Sequence, residues 1–235
     1  YNNINYSLAG LDNVTSFGRE IQSQTRSGKK LLFKPNLVAP DVISLDTHGE
    51  GSGDPVCTQW PFIAALMRWF HDKLDISYHQ MALGEASTSA FLFAVMGSKI
   101  SGKKITTEAV FEGRSGDFYI GWGFFFVRRY LAERHPVSHK DDPMQGYEDS
   151  ISGAFLPPGR AGDRLMIYDL NKVQDPSRGR TVAVPEGAIY KEITLHKVII
   201  GGDLSDAREM KDYPGCVLVN VPKLKMHFQD LITNA

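Results

Sequence analysis

Short apolar runs that stop on polar residues recur along the chain, and amphipathic stretches separate them. Gly28-Lys29-Lys30 is a polar turn feeding Leu31-Leu32-Phe33, a buried-strand pattern that must end at Lys34-Pro35-Asn36 because Pro cannot continue a central strand. Pro61 suits a first helical position. Phe62, Ile63, Leu66, Trp69 and Phe70 then recur at helical spacing to about Leu74. Residues 76–83 read as a strand, followed at once by Gly84-Glu85-Ala86-Ser87. Ser87 or Thr88 is placed to cap a helix over Ala90–Met96. A second aromatic-rich helix is expected over 118–134, with Phe118, Trp122, Phe125, Phe126, Tyr130 and Leu131.

Further on, Pro and Gly crowd residues 136–163, an excursion around one short helix at 146–152. Arg164–Leu170 reads as a strand, Thr181–Val184 and Glu192–Ile200 as a strand pair, and Ser205–Lys211 as a polar helix. Gly215–Val221 is a buried strand ending at Pro222-Lys223. Helices alternating with apolar strands imply an α/β chain with a mostly parallel, doubly wound (Rossmann-like) sheet. Helices are expected on both faces, with a long insertion around 101–163. No repeat or linker divides residues 1–235, so one α/β domain is expected. Tyr1 is not Met and Ala235 follows the start of a helical pattern, so truncation at both ends is expected.

Composition narrows the function classes. Of 235 residues, 42% are hydrophobic, and 26 Lys+Arg oppose 27 Asp+Glu, a net 26 − 27 = −1. That balance argues against a nucleic-acid binder. No apolar run of ~18 residues is present, so no membrane span is expected. Two cysteines, Cys57 and Cys216, cannot supply a four-Cys iron–sulfur cluster within residues 1–235. Their separation leaves pairing open. Cys57 precedes a predicted helix start, where a thiol pKa falls, but no His accompanies it in sequence. Cytoplasmic residence, or export with the signal removed, both fit.

The chemistry gathers at strand ends. In open α/β sheets, ligands bind beyond the carboxyl ends of the strands. Three strands end in Lys34-Pro35-Asn36, in Gly84-Glu85-Ala86-Ser87, and in Pro222-Lys223-Leu224-Lys225-Met226-His227. A parallel sheet would carry all three to one edge. Lys34, Lys223 and Lys225 would then form a cationic floor for a carboxylate or phosphate, with Asn36 and Ser87 as further ligand-binding groups. Glu85, Lys225 and His227 are the candidate catalytic residues, supplying acid/base or metal-ligand groups. The Gly/Pro-rich loop over 39–60 adds Asp46, His48 and Glu50 at alternate positions, a weak pattern for a divalent metal.

These strand ends resemble the domain-of-unknown-function family 362. The stretches that carry the resemblance are Leu32-Phe33-Lys34-Pro35-Asn36-Leu37-Val38, Thr58-Gln59-Trp60-Pro61, Gly84-Glu85-Ala86-Ser87, Gly146-Tyr147-Glu148, Asp169-Leu170-Asn171, and Val219-Asn220-Val221-Pro222-Lys223-Leu224-Lys225-Met226-His227. They run in the family's order from about residue 30 to the end. The resemblance implies an α/β protein in a redox or metal context, often joined to a ferredoxin-type iron–sulfur module. This chain departs in having no Cys-rich module and in stopping before a further Lys-Asn motif.

The leading expectation is an enzyme that binds an anionic small molecule, a divalent metal, or both at the carboxyl edge, redox-linked by resemblance. The alternative is a non-catalytic binding or electron-transfer accessory module that docks a ferredoxin-type partner. It expects an exposed aromatic patch over 118–130. A purely structural subunit would show no ordered cluster of Lys34, Glu85 and Lys225.

Overall fold

The computed structural model describes residues 1–37, 58–102, 104–112, 114–115, 118–119, 124–135, 141–144 and 165–222. Two helices lead the chain, α1 (Asn2–Thr15) and α2 (Phe17–Arg26). They meet at Ser16, whose φ of 57° lies in the left-handed region. The Asp12 carboxylate accepts the Gly18 N–H at 2.7 Å and fixes that bend. Then come β1 (Lys30–Pro35), α3 (Trp60–Leu74), the 3-10 turn Tyr78–Gln80, and β2 (Met81–Glu85). Next are α4 (Thr88–Ser101), α5 (Thr107–Glu112), the two-residue strands β3 (Arg114–Ser115) and β4 (Phe118–Tyr119), and α6 (Phe124–Arg134). After β5 (Met166–Asp169) follow β6 (Gly179–Ala183), β7 (Glu192–His196), α7 (Lys197–Ile200), α8 (Ala207–Asp212) and β8 (Cys216–Val221).

The main sheet is parallel throughout, in the order β5-β2-β1-β8. Its register pairs Leu32 with Ala82 and with Leu218, and Glu85 with Asp169. Alternation sends strand residues to two cores. Leu31, Phe33, Met81, Leu83 and Ile167 pack with α3, α4, α5 and α6 on one face. Leu32, Ala82, Met166 and Tyr168 pack with Val198 and Tyr213 on the other. Both faces are therefore covered, as a parallel sheet requires. The α/β, doubly wound, Rossmann-like architecture expected from the strand pattern is present.

The chain first builds outward from β1 to β2 to β5, with its crossover helices on one face. It then returns past β1 to add β8, with α7 and α8 on the other face. The direction in which strands are added therefore reverses between β1 and β8, which makes their carboxyl ends the topological switch point of the sheet.

Four boundaries differ from the sequence expectation by more than two residues. The strand expected over 76–83 begins at Met81 and reaches Glu85, because Ser77 and Gln80 form a capping box that turns Tyr78–Gln80 into a 3-10 helix. The helix expected over 118–134 begins at Phe124, since Phe118–Tyr119 pairs antiparallel with Arg114–Ser115. The strand expected over 192–200 stops at His196, whose ring nitrogen accepts the Val198 N–H at 3.1 Å and starts α7. The helix expected over 90–96 runs from Thr88 to Ser101. The expected helix at 146–152 lies outside the described residues. Among the described residues, no helix is long and apolar enough to cross a membrane.

Candidate functional site at the carboxyl edge of the sheet

Two of the three polar strand ends meet at this edge. Lys34 closes β1 and Glu85 closes β2, with Lys34 Nζ 3.6 Å from Glu85 Oε1. Glu85 is only 2% exposed. A buried carboxylate must have its oxygens satisfied, and here both are. Oε2 accepts the Leu37 N–H at 2.8 Å and Oε1 accepts the Ala86 N–H at 2.7 Å. Burial raises the Glu85 pKa; the Lys34 ammonium and the two backbone N–H groups pull it back only in part. Lys34 also donates to the Pro35 carbonyl at 3.2 Å, and a quarter of its side chain stays exposed to a ligand. Gly84 precedes Glu85 for a steric reason, because a Cβ there would stand 3.1 Å from Leu32 Cδ1.

Thr58 ties the switch point together. Its hydroxyl donates to the Val221 carbonyl at 2.7 Å and accepts the Asn36 N–H at 3.0 Å. Its own N–H donates to the Asn36 carbonyl at 2.8 Å. One buried threonine thus clamps the end of β1 to the end of β8. Asn36, 1% exposed, lies beside this clamp, and Ser87, 3% exposed, occupies the N-cap position of α4.

The edge continues through residues that the sequence reading did not assign to the site. Asp169 ends β5 in register with Glu85. Thr107 donates to its Oδ2 at 2.6 Å and the Asn171 N–H to its Oδ1 at 3.0 Å. Burial raises the Asp169 pKa despite these donors. Next to Thr107, Glu108 is buried and receives Lys172 together with Arg178, whose guanidinium stands 2.7 Å away. Burial works against the Glu108 charge, but the two cations outweigh it and hold the carboxyl below its usual range. Asp169 stands in the sequence near the end of an apolar strand and in the Asp169-Leu170-Asn171 stretch of the resemblance, with no site role attached to it. Nothing local marks Glu108, Lys172 or Arg178, which are joined across 64 and 70 positions.

The remaining candidates, Lys223, Lys225 and His227, lie outside the described residues, as do Asp46, His48 and Glu50 of the proposed metal loop, and Cys57. Cys216 is a free thiol whose pKa burial pushes up to about 11, so it is not poised as a nucleophile. The aromatic surface expected over 118–130 is not present among residues 124–130. Phe124 and Phe125 are buried, and Phe126 packs on Trp60 with ring centroids 5.7 Å apart.

Compared with protein-family models, with curated proteins and with solved structures, this chain matches none. The resemblance to the domain-of-unknown-function family 362 accordingly rests on the sequence motifs alone.

Proposed function

We propose that this chain is the α/β domain of an enzyme that binds an anionic small molecule, a carboxylate or a phosphate, in the crevice between the carboxyl ends of β1 and β8. The observation that carries this reading is the coincidence of the switch point with a restrained, partly exposed ammonium. Strand order reverses between β1 and β8, and Lys34 stands there against buried Glu85. A cation held by a buried carboxylate has already lost much of its conformational freedom, so less is lost when an anion arrives.

In this reading Lys34 contacts the anion, and Lys223 and Lys225, which follow β8 in sequence, add positive charge. Glu85 has a pKa raised toward the range useful for proton transfer, and it serves as the acid/base group together with His227. Asn36 and Ser87 contribute polar contacts. A redox-linked reaction is the class that the sequence resemblance suggests. The accessory-module alternative draws no support from the buried Phe124 and Phe125.

Thermal unfolding with inorganic phosphate and with succinate, against chloride at matched ionic strength, tests the reading. The wild-type midpoint should rise with at least one of the two anions, and Lys34→Ala and Lys225→Ala should each reduce the rise. Equal responses to chloride, or an undiminished rise in both variants, would remove the anion site from this edge.

A further inference from the structure

The opposite edge of the sheet carries a second constellation that the proposed function does not use. Helix α3 runs back against the strands and delivers His71 and Asp72 to the amino edge, where Tyr78 and His79 lead directly into β2. His135, directly after α6, arrives at the same place. One ligand-type atom each from His71, Asp72 and His135 lies within 4.8 Å of the others.

The finer geometry is that of a preformed ion site. His135 Nε2 is 2.9 Å and His71 Nδ1 3.4 Å from the same oxygen, Asp72 Oδ1. Ligands bonded to a tetrahedral zinc at ~2.0–2.1 Å stand about 3.3 Å from one another, so little rearrangement is needed. The two imidazole rings lie side by side, with centroids 4.4 Å apart.

The atoms of His135 and Asp72 that face away from this point are also engaged. His135 Nδ1 is 2.7 Å from the Tyr78 hydroxyl. His71 Nε2 faces Asp141 Oδ2 at 4.0 Å. Asp72 Oδ2 accepts from the Tyr1 hydroxyl at 2.8 Å and from Arg68 Nε at 3.1 Å. Metal-bound histidines characteristically direct their second nitrogen to an oxygen that fixes ring orientation, and bound carboxylates are themselves hydrogen-bonded. His135 and Asp72 show these features, and the three side chains come from one helix and a helix exit. An ordinary Asp–His ion pair accounts for Asp72 and His135. The His71 ring stacks on Tyr78 with centroids 4.4 Å apart, and that packing holds a second imidazole beside the same oxygen.

We propose that His71, Asp72 and His135 bind one divalent transition-metal ion of the zinc class, with a fourth position open to solvent. The donor set of two imidazoles and one carboxylate suits zinc and its neighbours better than magnesium or calcium, which favour all-oxygen shells. The side chains keep 21–23% of their surface, so an ion can enter without unfolding. Tyr78, Asp141 and Arg68 are positioning residues. This site is separate from the anion crevice, and either can fail without the other.

The test uses the whole chain, stripped with a chelator and titrated with Zn²⁺ and then Co²⁺. One equivalent of Zn²⁺ should be retained through gel filtration, and Co²⁺ should give the visible absorption of a low-coordinate nitrogen/oxygen site. A His71→Ala/His135→Ala double variant that keeps its circular dichroism should lose that equivalent. Tyr78→Phe preserves the stacked ring and removes only the hydroxyl, so it should weaken binding by about 10- to 100-fold, the range for losing an outer partner. Absence of stoichiometric Zn²⁺ from the wild type would overturn the proposal. So would retention by the folded double variant, which would move the ion elsewhere, or unchanged affinity in Tyr78→Phe.

Discussion

Replacing Glu85 by Ala should destabilise the fold substantially, and the size follows from its contacts. The carboxylate satisfies two backbone donors, Leu37 N–H at 2.8 Å and Ala86 N–H at 2.7 Å. Each orphaned buried donor costs ~1–3 kcal/mol. One lost methylene adds about 0.8 kcal/mol. Lys34 loses its counter-charge, but its exposure keeps that contribution at about 0–1 kcal/mol. Relief from burying a charge acts in the opposite direction.

A net loss of about 3 kcal/mol is expected, and at ~2–4 °C per kcal/mol for a chain of this size the midpoint falls by roughly 6–12 °C. Chemical denaturation gives the free energy, and scanning calorimetry the midpoint. The pH dependence is a second signature. Burial raises the folded-state pKa of Glu85, so its contribution is full below the ordinary glutamate value and declines as pH rises through the folded value. The deficit of Glu85→Ala should therefore be larger at pH 4 than at pH 8. A deficit under ~0.5 kcal/mol, the usual size for an unremarkable surface change, would refute the clamp. A deficit that grows with pH would refute the dominance of burial.

Glu108 should behave in the opposite sense. Lys172 and Arg178 outweigh burial and depress its folded pKa, so its contribution is present above ~4.3, the unfolded value, and is lost as pH falls through the folded one. Glu108→Gln should accordingly show a deficit at pH 7 that narrows in an acid titration followed by circular dichroism. Thr58→Val keeps the shape but removes the hydroxyl's two hydrogen bonds, to the Asn36 N–H and the Val221 carbonyl, so a loss of about 2 kcal/mol is expected. The same variant should blunt the phosphate or succinate response, because the walls of the crevice are no longer tied together.

The sheet was legible because its strands carry their own boundaries. Leu31–Phe33 and Val217–Val221 are short apolar runs, and each stops on a Pro and a Lys. Helix α3 was legible from its apolar spacing, and eight of its residues are buried. Helices α1 and α2 have a narrower signal. Each lays one apolar pair at i, i+4 spacing against the core, Ile4 and Leu8 in the first and Phe17 and Ile21 in the second, and fully buries at most Gly18 and Thr25. His196 ends β7 through a contact of its own ring with the backbone two residues on, which alternation cannot reveal.

At the site, Lys34 and Glu85 were readable because polar groups directly after apolar strands must lie at one edge of a parallel sheet. Thr58 was not readable in that role, because its partner Val221 lies 163 positions away. Glu108, Lys172 and Arg178 are ordinary loop and helix residues until the fold folds them onto β5. The amino-edge histidines escaped for the same reason, being contributed by α3 and by the exit from α6.

Anion binding between β1 and β8 can be located by amide chemical-shift mapping. Inorganic phosphate and succinate would be titrated into ¹⁵N-labelled protein at constant ionic strength. Saturable shifts are predicted for Lys34, Asn36, Leu37, Thr58, Glu85, Ala86 and Val221, and should be absent from Lys34→Ala. Shifts confined to other surfaces, such as those around Arg68 and Arg129, or none that saturate, would rule out an anion site between these strands.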